Sequence, residues 1–277
     1  MLPCKRATVH AVYMATQAQR AVLITGGSSG IGLGLAKRYL QEGHRVVITG
    51  RSPDRLAAIA EQLPGIETLT SDIGSPHERQ ELADHIGHSM PELDILINNA
   101  GIQRRVAIAA DDAPWADAQN EIDVLLAGPI HLGRLLLPYL LAHGRPSVLV
   151  NVTSGGAYIP QPFAPLYSAA KAALHSYTVN LRHALQATPC RVVELIPPAV
   201  ATALAGPGHN HGADPEQFCD TVFPLLDGSQ PEVGFGPTSQ PAFTDRLTTE
   251  HRAFQAAADR FPVPLYQPID TGKPADN

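Results

Sequence analysis

Tyr167 and Lys171 stand four residues apart in a stretch patterned as a helix, so both project from one helical face. A phenol titrates near ~10, too high to exchange protons readily at neutral pH. A nearby ammonium, joined by the positive charge of an oxidised hydride carrier, would favour the phenolate and lower that value. Tyr167 would then be a general acid in reduction and a general base in oxidation. Ser154 ends an apolar, strand-like run, where open α/β sheets carry their ligands, and its hydroxyl would hold a carbonyl or hydroxyl oxygen. The same spacing also arises as a surface tyrosine over a solvated lysine, so the pair takes its meaning from its surroundings.

That chemistry needs a hydride carrier, and a second group of residues has the types to hold one. Residues 25–32 read Thr-Gly-Gly-Ser-Ser-Gly-Ile-Gly and join a strand-like run to a helix-like one. Gly26, Gly30 and Gly32 would let the backbone turn tightly and approach a pyrophosphate. Ser28, Ser29 and Ile31 lead into a helix whose free N–H groups and dipole favour phosphate. After the next strand come Gly50 and Arg51, where an NAD binder would carry an acid for the ribose 2′-hydroxyl. A guanidinium there suits a 2′-phosphate, which points to NADP(H) rather than NAD(H); the alternative is an Arg51 that simply faces water. Asp72 and Ile73 would flank the adenine, or Asp72 caps a turn. Asn98, Ala100 and Gly101 close a further strand as a nucleotide-facing edge or as a plain Asn/Gly turn. No histidine or cysteine spacing suggests a metal; the pair His209 and His211 lacks a third ligand nearby.

These residues require elements that bring them to one edge. Strand-like runs at 21–25, 45–49, 67–70, 93–98, 147–153 and 191–196 alternate with helix-like stretches at 31–41, 53–63, 76–89, 113–141 and 166–186. The long 113–141 stretch would bend at Gly128-Pro129. Short apolar strands separated by helices mean βαβ units and a parallel sheet covered on both faces: a doubly wound, three-layer α/β/α fold. Residues 199–214 look like a mobile substrate loop, 213–227 and 244–259 like helices, and 231–236 like a weak edge strand. Residues 20–277 read as one catalytic domain. Residues 1–19 read as a disordered extension, with Met14 a candidate start that mass spectrometry of the native protein would test.

Composition narrows the partners. The chain has 277 residues, 44% apolar and 17% charged, with a net charge of −6, which suits a buried core and excludes a disordered chain. No basic run invites nucleic acid. Apolar stretches are interrupted before the ~20 residues of a membrane span, and residues 1–19 lack a signal-peptide core. Cys4, Cys190 and Cys219 form no disulfide framework, and a reduced, cytoplasmic setting follows as the expectation.

In order, TGGSSGIG, Asp72, NNAG, Ser154 and Tyr167-Ser168-Ala169-Ala170-Lys171 resemble the short-chain dehydrogenase/reductase family over residues 20–205. The resemblance implies a seven-stranded Rossmann-like sheet, a nicotinamide cofactor and Ser-Tyr-Lys catalysis on a small carbonyl or alcohol substrate. It implies that Lys171 also binds the nicotinamide ribose, and that Pro197, Val200 and Thr202 frame the nicotinamide. Homo-oligomers through the helices near 114–141 and 166–186 are implied as well. Many members carry a catalytic Asn where this chain has Leu125, which leaves the proton relay to the Lys171 ammonium and backbone-held water, at reduced rate. That departure keeps a second reading open, a cofactor-binding regulator without turnover. Residues 103–112, 155–165 and 199–211, with Tyr158 and Phe163, are expected to line a mainly apolar substrate pocket.

Overall fold

Strands buried on both faces need apolar residues at every position, and the first strand, Ala-Val-Leu-Ile, sends Val22 and Ile24 to one core and Ala21 and Leu23 to the other. The computed structural model describes residues 19–206 and 211–267. The expected extension before residue 19, the pair His209-Asn210 and the last ten residues lie outside the described residues. Strands β1 (Ala21–Ile24), β2 (Arg45–Gly50), β3 (Glu67–Thr70), β4 (Leu93–Asn98), β5 (Ser147–Val152), β6 (Cys190–Ile196) and β7 (Glu232–Gly234) form one parallel sheet in the order β3-β2-β1-β4-β5-β6-β7. The order reverses beside β1, and the loops after β1 and β4 open a crevice there.

Helices α1 (Gly30–Gln41), α2 (Pro53–Gln62) and α7 (Pro215–Leu226) cover one face, through Leu35, Tyr39, Leu56, Phe218 and Val222. Helices α3 (Pro76–Ser89), α5 (Gly128–Ala142) and α6 (Pro165–Ala184) cover the other, through Ile86, Leu132, Leu136, Leu140 and Leu181. A shorter α4 (Trp115–Ile122) precedes α5, and α8 (Pro241–Arg260) follows β7. Serine or aspartate starts several helices: Ser52 Oγ accepts the Arg55 N–H at 3.3 Å, Ser75 Oγ that of Glu78 at 3.3 Å, and Asp214 Oδ1 that of Gln217 at 2.8 Å.

The stretch read as one bent helix is α4 and α5 joined by a π-helical turn, Asp123–Ala127, so the irregularity lies before Gly128-Pro129. Contrary to the sequence expectation, the continuous run Trp115–Ala142 is long and apolar enough to cross a bilayer. Its leucines have a packing reason, because Leu132, Leu136 and Leu140 fill the core against β4 and β5.

Helices α1 and α7 touch closely. A Cβ on Gly34 would stand 2.6 Å from Cys219 Sγ. Nearby, Arg38 Nη2 ties α1 to Asp220 at 2.7 Å and to Glu216 at 3.0 Å. Gly34→Ala is therefore expected to push the two helices apart and cost about 1–3 kcal/mol. Thermal unfolding should show a Tm lower by several degrees; an unchanged Tm would mean the helix contact is looser than these distances.

Candidate active site

The crevice begins at the turn after β1. Gly26 has φ +65°, and a Cβ there would lie 2.8 Å from Ala100 Cα, so only glycine lets the β1 and β4 loops meet. Thr25 Oγ1 accepts the N–H groups of Asn99 and Ala100 at 3.0 Å each, and Asn99 Nδ2 donates back to Thr25 O at 2.9 Å. Gly26, Ser28, Ser29, Gly30 and Ile31 line a cleft of about 580 Å³, in the size range of ligand sites. Ser29 precedes α1 without a side-chain cap bond, so the first-turn N–H groups remain open to an anion.

The next two strands add their ends. Arg51 lines the cleft, and so do Ser52 and Arg55, whose places in the helical pattern carry no such signal. Among the described residues neither the Arg51 nor the Arg55 guanidinium has an ion-pair or hydrogen-bond partner in the chain. Asp72 and Ile73 also face the cleft, and Asp72 Oδ1 accepts the Gly74 N–H at 2.8 Å, so the turn cap is present. Ala100 and Gly101 line it as well. Asn98 does not: it is buried in the sheet, where Nδ2 donates to Asn151 Oδ1 across β4 and β5 at 2.9 Å. Its neighbour Asn99 faces the cleft instead. Gly32 also misses the cleft; it packs inside α1 against Asn99, where no side chain fits.

At the other end stand Ser154, Tyr167 and Lys171, all buried and all on the cleft wall. Ser154 follows β5, and its Oγ accepts the Gly156 N–H at 3.0 Å. Lys171 Nζ donates to Val152 O at 2.6 Å and lies 5.8 Å from the Tyr167 ring centre. Burial pushes the ammonium down to about 8, and the charge of Glu194 opposes that. Burial also raises the Tyr167 phenol; a hydrogen bond with Ser154 opposes the rise and the charge of Glu121 adds to it. In the protein alone the phenol is therefore less acidic than usual, because desolvation is the largest influence on it.

Two further acids escaped the sequence reading. Glu121 on α4 is buried, accepts the Arg104 N–H at 3.1 Å through Oε1, and is itself raised by burial. A carboxylate one turn ahead of Leu125 was the available signal. Glu194 on β6 is fully buried, a position where a strand core ordinarily takes an apolar residue. Leu125 in the π-helical turn packs on Tyr167, Ala164 and Ala170.

Pro197, Val200 and Thr202 line the cleft beyond β6, joined by Pro198, Ala203 and Leu204. The base of the expected mobile loop is pinned: Ala201 N–H donates to Ala213 O and Ala213 N–H to Ala199 O, both at 2.9 Å. Tyr158, expected in the substrate pocket, points inward and is buried against His175 and Phe243. Ile102 and Gln103 do line the cleft; Arg104 is paired with Asp111 at 2.7 Å and Arg105 lies 4.1 Å over the Phe163 ring.

Comparison with known proteins gives the same picture. The short chain dehydrogenase family model matches residues 20–211. The chain is 43% identical over 183 residues to the uncharacterized oxidoreductase DltE of Bacillus subtilis (strain 168), covering 66% of this chain and 72% of that one. It is 31% identical over 229 residues to sulfoacetaldehyde reductase 2 of Chromohalobacter salexigens, covering 80% of this chain and 89% of that one. A short-chain dehydrogenase from Sphingobium yanoikuyae, solved with NADPH, shares the fold with a TM-score of 0.77 over 93% of this chain and 99% of its own, at 22% identity. Another from Burkholderia cenocepacia J2315, solved with NADP, superposes with a TM-score of 0.71 over 90% of this chain and 100% of its own, at 25% identity. With its seven-stranded sheet, its Gly-rich crevice and these relatives, the chain belongs to the short-chain dehydrogenase/reductase family of NAD(P)-dependent oxidoreductases.

Proposed function

We propose that this protein moves a hydride between NADP(H) and a carbonyl or alcohol substrate, with Ser154, Tyr167 and Lys171 as its catalytic residues. The observation that carries the reading is one cleft with a Ser-Tyr-Lys cluster at one end and, at the other, two guanidiniums, Arg51 and Arg55, that have no partner among the described residues. The cradle fits a dinucleotide: the turn at Gly26 leaves backbone, not side chain, facing the space, and the start of α1 is uncapped. When bound, the nicotinamide supplies or accepts the hydride.

The chain's own groups do the rest. Ser154 Oγ hydrogen-bonds the substrate oxygen and fixes it beside the phenol. In reduction Tyr167 Oη gives that oxygen its proton; in oxidation the phenolate takes it back. Lys171, charged below about 8, steadies the phenolate and offers ribose hydroxyls a donor. Arg51 and Arg55 would hold the 2′-phosphate, with Gly50 leaving room beside Ser28. Arg104 is paired with Asp111 and Arg105 stacks on Phe163, and neither lines the cleft, so neither is assigned a role towards substrate.

The test is NADPH consumption against a panel of ketones and aldehydes, with NADH in parallel. Turnover with an NADPH preference is expected; a clear NADH preference rejects the role of the two arginines. The regulator reading draws on Leu125, and tight NADPH binding without turnover of any carbonyl would favour it. Leu125→Asn is expected to cost about 2 kcal/mol, because it sets an amide among apolar neighbours, and to change the pH dependence of turnover. Equal turnover at every pH would reject the impaired-relay account. The reading extends to a homo-oligomer built on α4, α5 and α6, where Trp115 is 70% exposed, and to a cytoplasmic setting that suits the buried free thiols of Cys190 and Cys219. Light scattering and fractionation read these two.

A further inference from the structure

Behind the catalytic wall lies a polar cluster that the reaction above does not use. Glu194 is fully buried on β6, and its two carboxylate oxygens are taken up by three neighbours. Thr153 Oγ1 donates to Oε1 at 2.6 Å and Tyr158 Oη donates to the same oxygen at 2.9 Å. His175 Nδ1 pairs with Oε2 at 2.8 Å. A carboxylate is retained in a strand core only when its charge is answered, and three donors answer it here.

The cluster is tied to the site at two points. Thr153 is the chain neighbour of Ser154 and follows Val152, whose carbonyl accepts the Lys171 ammonium at 2.6 Å. His175 lies one turn after Lys171 on α6, so the two side chains leave the helix on the same face. Lys171 is itself buried, with Val152 O as its hydrogen-bond acceptor. We infer that Glu194 is the buried counterion of the Lys171 ammonium, a positioning residue held in place by Thr153, Tyr158 and His175.

The electrostatics agree in direction. Burial lowers the Lys171 ammonium to about 8, and among the described residues the charge of Glu194 opposes that fall. Burial works against a charged His175 too, but the hydrogen bond and charge of Glu194 outweigh it and raise the imidazole. Glu194 is thus shared between two cations, and when His175 loses its proton the carboxylate is left to Lys171 alone. Around the pair, Glu250 on α8 lies 3.6 Å from His175 Nε2 and is itself paired with Arg246 at 2.9 Å. Glu232 on β7 acts on His175 from further off, is neutralised by Arg182 at 2.7 Å and touches His251 at 3.0 Å. Tyr158 is held protonated by burial and by Glu194, so it serves as a donor throughout.

The lysines make this measurable without substrate or cofactor. The chain has Lys5, Lys37, Lys171 and Lys273, so a protein labelled with ¹³C,¹⁵N-lysine gives few side-chain signals, and Lys171→Met assigns the one of interest. In Glu194→Gln the Lys171 titration midpoint should fall by about one pH unit or more, a tenfold loss of proton affinity, while Lys37 stays put. Tyr158→Phe, which keeps the volume and the carboxylate charge but removes one donor that shares it, should raise the midpoint slightly. Should Glu194→Gln not fold, His175→Gln/Glu194→Gln leaves no unpaired charge and carries the measurement. A Lys171 midpoint at the wild-type value in every folded variant overturns the inference.

Its bearing on catalysis rests on the reading of Lys171 given above. There, Glu194→Gln should move the alkaline limb of kcat/KM to lower pH, and Glu194→Asp should restore it, which a purely structural role would not do. A shifted lysine midpoint with no turnover of any carbonyl by the wild type keeps the counterion and rejects the dehydrogenase reading.

Discussion

Tyr167→Phe is expected to lower kcat/KM for carbonyl reduction by about 10²–10⁴-fold while leaving NADPH affinity nearly unchanged. The ring remains seated against Leu125, Ala164 and Ala170, so the substitution removes a proton donor and little else. Steady-state NADPH oxidation reads the first quantity and fluorescence titration of NADPH the second. Wild-type turnover in the variant would remove Tyr167 from the mechanism. The direction of the reaction should carry a pH signature. Because burial raises the phenol, Tyr167 keeps its proton at neutral pH, which arms it for reduction. Oxidation needs the phenolate and should speed up as pH rises towards about 8, above which Lys171 no longer steadies that anion. Reduction should weaken as pH climbs through about 8, where the buried Lys171 loses its charge.

The second large effect concerns the cofactor. Arg51→Ala/Arg55→Ala should weaken NADPH binding by about 100-fold and leave NADH binding within a few-fold of wild type. Each charge-assisted contact to a phosphate is worth about 1.5 kcal/mol, and the two side chains flank one corner of the cleft beside Ser52. Both guanidiniums lack protein partners among the described residues, so their loss should cost little stability. Isothermal titration with the two cofactors separates the cases; an equal loss for NADH would show that the arginines hold some part both cofactors share.

Much of this site could be read along the chain, for a physical reason. Ser154, Tyr167 and Lys171 are positioned by local rules, the end of a strand and the four-residue repeat of a helix, and the structure brings them to one wall. The glycine turn likewise depends on its own backbone. What escaped depends on partners distant in sequence. Asn98 and Asn99 differ only in which way a strand end points, and that is set by Asn151 on β5 and Thr25 in the turn after β1. Tyr158 looked like a pocket residue because it sits in a loop after a strand, yet His175 and Glu194 draw it inward. Arg55 was hidden inside a helical pattern, where an arginine ordinarily faces water; only the fold places it beside Arg51. The lowering expected of the phenol takes the ammonium and an oxidised nicotinamide together, whereas burial by itself raises it, and sequence spacing carries no measure of that desolvation.

The π-helical turn at Asp123–Ala127 separates two duties that one regular helix would have to share. A residue advances a regular helix by about 100°, so a widened turn resets the phase between what comes before and what comes after. Upstream, α4 can aim Glu121 towards the tyrosine; downstream, α5 can keep Leu132, Leu136 and Leu140 against the sheet. Shortening that turn by one residue would swing the leucine stripe out of register with β4 and β5 or carry Leu125 off the phenol. The loosened turn thus gives the molecule a rotary joint, frozen in the folded state, at which the pocket can diverge among descendants while the scaffold beneath it stays as it is.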